Sequence, residues 1–457
     1  MEDSDIFSLA EFCFKIIESQ ISDVKTADIY FEKNKYINIE IEENSIKNSE
    51  VGEDSGVSIR VINRSGALGF AYSNKLVKHS IEKVCKVALK MMKVASPDPD
   101  FKDLPTPYKD YPNVKDLYDK NLKYLQIEDS LNYINDLIEV CKEDDMAISQ
   151  SGNFVSDYSK TYIFNSNGLK ASKKETSCLV SSNIIVKDKI SKETSSGSER
   201  QIERSLNKLN AINVAKIALE DAKQNLNRKK VRNMKVPVIL TPKGSISLIL
   251  RPIAAAINAE IFQYKRSFLV DKRDEKIGSD ILNIEDNGLI DNAAGSQIFD
   301  DEGVPCQNKK ILQNGKFLES GLLHNSYTAG KEGIESTGNA SRGSYLTIPS
   351  IGITNFIMKP GDTSLEEIIK SIKRGILLNY TGDSPNISTG DFSGLILRGN
   401  LIEDGEIKDP LNETMIGINL IDLFKNVEAI SKDYKIYGAF QAPWVKIRSV
   451  NVIGGEN

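Results

Sequence analysis

Residues 299–309 read FDDEGVPCQNK, which sets Asp300, Asp301 and Glu302 side by side, followed by Gly303 and then Cys306. Carboxylates and a thiol are the donor types of a metal site, and carboxylates also serve as general acids and bases. Neighbouring residues of a strand point to alternate faces, so an extended backbone would keep the three acids from converging on one ion. A turn would let them converge. A calcium loop, however, needs oxygen ligands at alternating positions over about twelve residues, and VPCQNKK supplies few. Two readings stand: a turn that feeds a following hairpin, with Gly303 in a backbone conformation other residues avoid, or a metal- or ligand-binding role for the acids.

The other candidates are sparse. The run KEGIESTGNASRG lacks the spacing of a phosphate-binding loop, and GxxxxGK[ST] occurs nowhere in the chain. Its Thr337, Gly338 and Asn339 either present backbone amides to a peptide or an anion, or belong to a plain loop. There are only two histidines, His79 and His324, far apart in sequence. Chemistry that needs a histidine pair on one helix is therefore excluded. No GxSxG elbow is present to suggest a Ser-His-Asp hydrolase. His79 falls on the polar side of a helical segment and is expected in solvent. His324 follows a strand end and is expected to bond locally. The five cysteines are scattered without a CxxC pair, so free thiols in a reducing compartment are expected.

These residues must be positioned by a chain of 457 residues, 40% hydrophobic and 27% charged, an ordinary globular composition with room for more than one domain. A net charge of −5 argues against a general affinity for nucleic acid or anionic membrane. No apolar run approaches the roughly 18 residues of a membrane span. The acidic start MEDSDIFSLAEF is unlike a signal peptide, so a cytoplasmic location is expected. Helical spacing occurs at 7–22, 76–95 and 127–143, and a polar helix is expected over about 200–227. A period of two runs through ADIYFEKNKYINIEIEENSIK, GVSIRVI and the segment 159–186, where Asn167-Gly168 is a candidate type I′ turn. The basic stretch NRKKVRNMK reads as a solvated linker, because VPVILTP immediately starts a buried strand. In the second half, Asn314-Gly315 and Glu403-Asp404-Gly405-Glu406 signal hairpins. Ser364 and Glu367 form a capping box ahead of a helix at 364–374. The fold class expected is α+β: a mixed N-terminal α/β domain over 1–230, then a mainly antiparallel β domain over 231–457.

Taken in order, FDDEG (299–303), the Asn-Gly hairpin, STGNA (336–340), TGDFSG (389–394) and GNLIEDGE (399–406) resemble the TldD/PmbA family. In the N-terminal half GVSIRVINRSGALGFAYS and IFNSNG resemble its further signatures, so the likeness spans nearly the whole chain. The resemblance implies a cytosolic assembly of TldD-type and TldE (PmbA)-type subunits, a metallopeptidase that degrades unfolded peptides in an enclosed cavity. It implies that the TldD-type subunit holds zinc with an HExxxH helix and a cysteine near the C-terminus, the glutamate activating water. The family's older label, modulator of DNA gyrase, suggests nucleic-acid work, which nothing in this acidic chain supports.

The departure from that pattern is informative. The zinc helix should follow VPVILTP, where this chain reads GSISLILRPIAAAINAEIFQYKRSF, without a histidine. With LIL matched to the apolar residues before the motif, Arg251 and Pro252 replace the first histidine and the glutamate, and Ala256 the second histidine. Pro252 would then sit in the first turn of that helix or end it. The terminal segment YGAFQAPWVKIRSVNVIGG has no cysteine. Arginine, proline and alanine do not ligate zinc. The chain thus resembles the TldE type: no cofactor of its own, zinc expected in a TldD-like partner, pairing as a heterodimer or a homodimer, and an unfolded peptide as substrate. Two alternatives remain, a hydrolase using residues 300–302 or Asp391, and a self-associating scaffold.

Overall fold

The computed structural model describes residues 3–19 and 23–455. Ile21, part of the expected helical stripe, lies outside the described residues. The chain is α+β with a β-rich C-terminal half.

The N-terminal half is built on six antiparallel strands: β1 (Val24–Glu42), β2 (Ser45–Asn63), β3 (Leu68–Ser73), β4 (Ala147–Asn165), β5 (Lys170–Lys187) and β6 (Thr194–Glu203). Their order in the sheet is β3-β2-β1-β4-β5-β6. The period of two in the sequence sorts their side chains onto two faces. Ala27, Ile29 and Phe31 of β1 and Val57, Ile59 and Val61 of β2 are fully buried in one cluster with the apolar stripes of the helices Asp3–Glu18 and Lys78–Val94. Phe154, Cys178 and Val180 pack in the same way with the helices Ile127–Lys142 and Ala211–Gln224. Residues of the other parity, Asp28, Tyr30, Ser58 and Arg60, are also buried, because the C-terminal half covers that face. A sheet covered on both sides must bury polar groups wherever its second face is polar, and these need partners from the facing layer.

Two local expectations are corrected. Residues 200–203 finish β6, and the helix covers only Ala211–Gln224. The strand lacks an apolar stripe: of its buried parity, Ser195, Gly197 and Glu199, the glycine runs so close to the covering helix that a Cβ would lie 2.0 Å from the carbonyl oxygen of Ala218, and Glu199 pairs with Lys243. The Asn167-Gly168 turn is not type I′, since only Gly168 has a positive φ (+91°). The side chain of Asn165 accepts from the amides of Asn167 and Leu169 at 3.0 and 3.1 Å and shapes a longer connection. The expected turns at Asn314-Gly315 and Asp404-Gly405 have positive φ at both residues, as type I′ requires, and the Ser364/Glu367 capping box is complete.

In the C-terminal half β7 (Met234–Leu240) lies between Arg374–Thr381, to which it is parallel, and Phe440–Ile453. Asp391–Glu403 and Met415–Asn419 complete the circuit, so five strands close on themselves. Most pairings are antiparallel; Phe356–Met358 with Phe440–Ile453 is the other parallel pair. A helical run from Pro242 to Ala256 follows β7, and Leu248, Ile249, Leu250 and Ile253 on it are fully buried in the same core as Val238, Ile376 and Val445. Among the described residues no helix is long and apolar enough to cross a membrane.

Candidate functional site

Residues 299–305 form a tight turn. The amide of Asp300 donates to the Val304 carbonyl at 2.9 Å, and Gly303 has φ +84°. The Asp300 carboxylate accepts from the amides of Glu302, Val304 and Ala340 at 2.9–3.0 Å. Glu302 points into the N-terminal sheet: its Oε1 lies 2.9 Å from Arg60 and its Oε2 accepts from the Ser326 amide at 2.8 Å. Arg60 also grips its cross-strand neighbour Asp28 through two bonds of 3.1 and 2.7 Å. Arg342 reaches Asp28 at 3.0 Å, so the two acids and two guanidiniums form one continuous chain, Glu302–Arg60–Asp28–Arg342, between the halves. Asp301 accepts from the Arg342 amide at 2.8 Å and lies 3.4 Å from Lys173 of β5. Glu302 and Asp301 thus fasten this turn to the N-terminal sheet through Arg60 and Lys173, across a buried seam.

Burial, and next the Glu302 charge, push the Asp300 carboxyl up to about 7. A carboxyl raised in the folded state binds a proton that the unfolded chain has already lost, so stability falls as pH rises from about 4 to about 7 and levels off above. Thermal melts over that range are expected to show this decline in the native chain and a flatter profile in Asp300→Asn. Parallel profiles would reject it. Cys306 is buried, pushed up to about 12 by burial and by Asp300, and it is a thiol packed against the Gly338 carbonyl at 3.5 Å.

Thr337, Gly338 and Asn339 adjoin this seam. The Thr337 hydroxyl accepts from the His324 amide at 2.7 Å, and Asn339 Nδ2 donates to Asp286 and to the Gly352 carbonyl at 2.9 and 2.8 Å. Gly338 has φ +70°, and a Cβ there would lie 2.4 Å from the Pro305 carbonyl oxygen. Asn339 and Asp286 are buried. His324 is buried, which lowers its pKa, and its Nδ1 has no partner among the described residues. His79 is exposed on its helix. Asp391 is exposed and accepts from Asn419 Nδ2 at 3.0 Å, apart from the buried acids. The partners Asp28, Arg60 and Arg342 are missing from the sequence reading. The one signal, for Asp28 and Arg60, is a charge set between apolar residues in ADIYF and VSIRVI.

The segment GSISLILRPIAAA neither starts nor ends at Pro252. A proline inside a helix has no N–H and collides with the carbonyl four residues back. Here the preceding turn widens: the Arg251 amide bonds to the Ile246 carbonyl, five residues back, and residues 246–250 form a π turn. Bulges of this kind open the ladder where a residue cannot fit it. Arg251 projects out of the helix, its guanidinium 5.8 Å from the Phe440 ring centroid, while Pro252 and Ala256 are buried. Position 251 therefore abuts Phe440, within the terminal segment where the resemblance leads one to expect a cysteine ligand. The side chains there are arginine and phenylalanine, and among the described residues no three His, Cys, Asp or Glu side chains are gathered to hold a metal ion. The donor set does not fit zinc.

Arg251 opens onto a cleft of about 530 Å³ between β4–β6 and the C-terminal half, with Lys243, Arg200, Arg398, Glu199 and Tyr437 among its walls.

A two-half chain, one half an antiparallel sheet under helices and the other a closed sheet with a helix behind its first strand, defines the architecture of a TldD/PmbA protein. The profiles of the PmbA/TldA metallopeptidase domain 1, central domain and C-terminal domain match residues 27–92, 120–226 and 233–454. The chain belongs to the TldD/PmbA metallopeptidase family. It is 28% identical over 417 residues to a metalloprotease of Methanocaldococcus jannaschii, covering 90% of each chain. It is 26% identical to a metalloprotease PmbA homolog of Buchnera aphidicola, over 94% of this chain and 93% of the other. The fold is shared with TldE from Thermococcus kodakarensis (TM-score 0.86, 24% identity, 98% of this chain and 100% of that one). It is also shared with a putative modulator of DNA gyrase from Thermotoga maritima (TM-score 0.87, 24% identity, 98% and 100%).

Proposed function

We propose that this chain is a TldE-type, zinc-free subunit that pairs with a zinc-bearing TldD-type chain in a peptidase acting on unfolded peptides. The observation that carries this reading is the helix Pro242–Ala256. It follows the strand after which the resemblance leads one to expect the zinc helix, yet in that register it offers Arg251, Pro252 and Ala256 and buries the last two. The role left to the chain is to shape the cavity and hold peptide beside the partner's metal, with no direct contact to nucleic acid.

Mixing the purified chain with a family member that carries HExxxH, and following cleavage of an unfolded casein-like substrate, tests this. Co-elution of the two chains and a gain in chelator-sensitive cleavage over the zinc-bearing chain alone are expected. Failure to associate, with no change in cleavage, would reject the pairing and favour a homodimer or a scaffold.

A further inference from the structure

The cleft behind Arg251 has a charge that its surroundings do not neutralise. Lys243 is paired with Glu199 at 3.1 Å and donates to the Ser198 carbonyl at 2.9 Å. Arg398 pairs with Asp221 and donates to Ser198 Oγ. Arg200 and Arg251 line the same cavity, both exposed, and among the described residues neither guanidinium is ion-paired. The wall supplied by the N-terminal sheet adds hydroxyls, Ser151, Ser181 and Ser182. In a chain of net charge −5 this is a local reversal of sign.

A concave site with low-dielectric walls concentrates such a field on a small anion. Guanidiniums bind carboxylates through paired N–H donors in a fixed plane, and hydroxyls complete the remaining acceptor sites. The anchored pair, Lys243 and Arg398, keeps two further cations at the back of the cleft without spending them on the ligand. The position that the resemblance assigns to the first zinc histidine here carries the Arg251 guanidinium, which rests against the Phe440 ring without an ion pair among the described residues.

We propose that Arg251 and Arg200 form a carboxylate-binding site in this cleft that anchors an extended peptide through its C-terminal carboxylate or an acidic side chain. The ligand class rests on the peptide-processing reading above, whereas the anion site rests on the cleft alone.

Fluorescence anisotropy with the full chain, without partner or zinc, tests the site. The probe is an unstructured labelled decapeptide of serine, valine and glycine made in three forms: free C-terminal carboxylate, C-terminal amide, and amide with one internal glutamate. At least one carboxylate form is expected to bind about tenfold or more tighter than the plain amide, the range of a charge-assisted hydrogen bond. Which form does so identifies the source of the anion. Arg251→Ala and Arg200→Ala, both exposed and so expected to keep the native melting temperature, should each abolish the preference, with Arg251→Lys retaining part of it. Equal binding of all three forms, or a preference untouched by both alanine variants, would overturn the site. Because the partner is absent, that outcome would leave the pairing test standing, and a failed pairing test would leave this one.

Discussion

Glu302→Gln is expected to lower the unfolding free energy by about 3–5 kcal/mol, the loss typical when one member of a buried ionic network is removed. The native arrangement balances Asp28 and Glu302 against Arg60 and Arg342, all four buried. Neutralising Glu302 leaves two guanidiniums facing the single Asp28 carboxylate in a seam with little water to compensate. Glu302 accepts from Arg60 with one oxygen and from the Ser326 amide with the other, so the NH2 group of glutamine must face one of these donors and adds repulsion to the lost attraction. Arg60→Ala should be comparably damaging for the opposite reason, since Glu302 would keep only the Ser326 amide and Asp28 only Arg342. Guanidinium denaturation with Asp391→Asn as the exposed control measures this. The control should stay within about 0.5 kcal/mol of the native chain. Native-like midpoints in both network variants would show that these groups do not hold the two halves together.

This network shows what the sequence could and could not reveal. The period of two in ADIYFEKNKY and GVSIRVI marked β1 and β2, and the Asn-Gly and Asp-Gly turns marked two hairpins, because those signals are local. Asp28 and Arg60 look like ordinary solvent-facing charges in such strands. Only the covering C-terminal half makes them buried, and its contacts lie 242 residues away for Arg60 and Glu302. FDDEG was legible as a feature but not as a fastening, since its partners are distant in sequence. The strand β6 was missed for a related reason. Its polar residues are those of a helix surface by composition, and the crowding that forces Gly197 comes from a helix formed later in the chain.

The candidate zinc helix behaved differently. Its lack of donors was legible directly, because ligand chemistry depends on residue type and no packing can turn arginine, proline or alanine into a zinc ligand. What the sequence did not reveal was the π turn that lets Pro252 sit inside the helix. Nor did it reveal that Arg251 faces an open cleft beside Phe440 while Ala256 is sealed in the core. A continuous helix without zinc-ligand side chains keeps the family's architecture, and this is the observation behind the supporting role proposed above.

The most direct measurement is the zinc bound by the purified chain after equilibration with zinc and removal of free metal, read by elemental mass spectrometry alongside a peptidase assay on the same sample. The expectation is sub-stoichiometric zinc and no chelator-sensitive cleavage by this chain alone, a complete loss relative to a zinc-bearing family member treated in parallel. One tightly held zinc per chain, together with chelator-sensitive cleavage in the absence of any partner, would contradict a zinc-free supporting subunit.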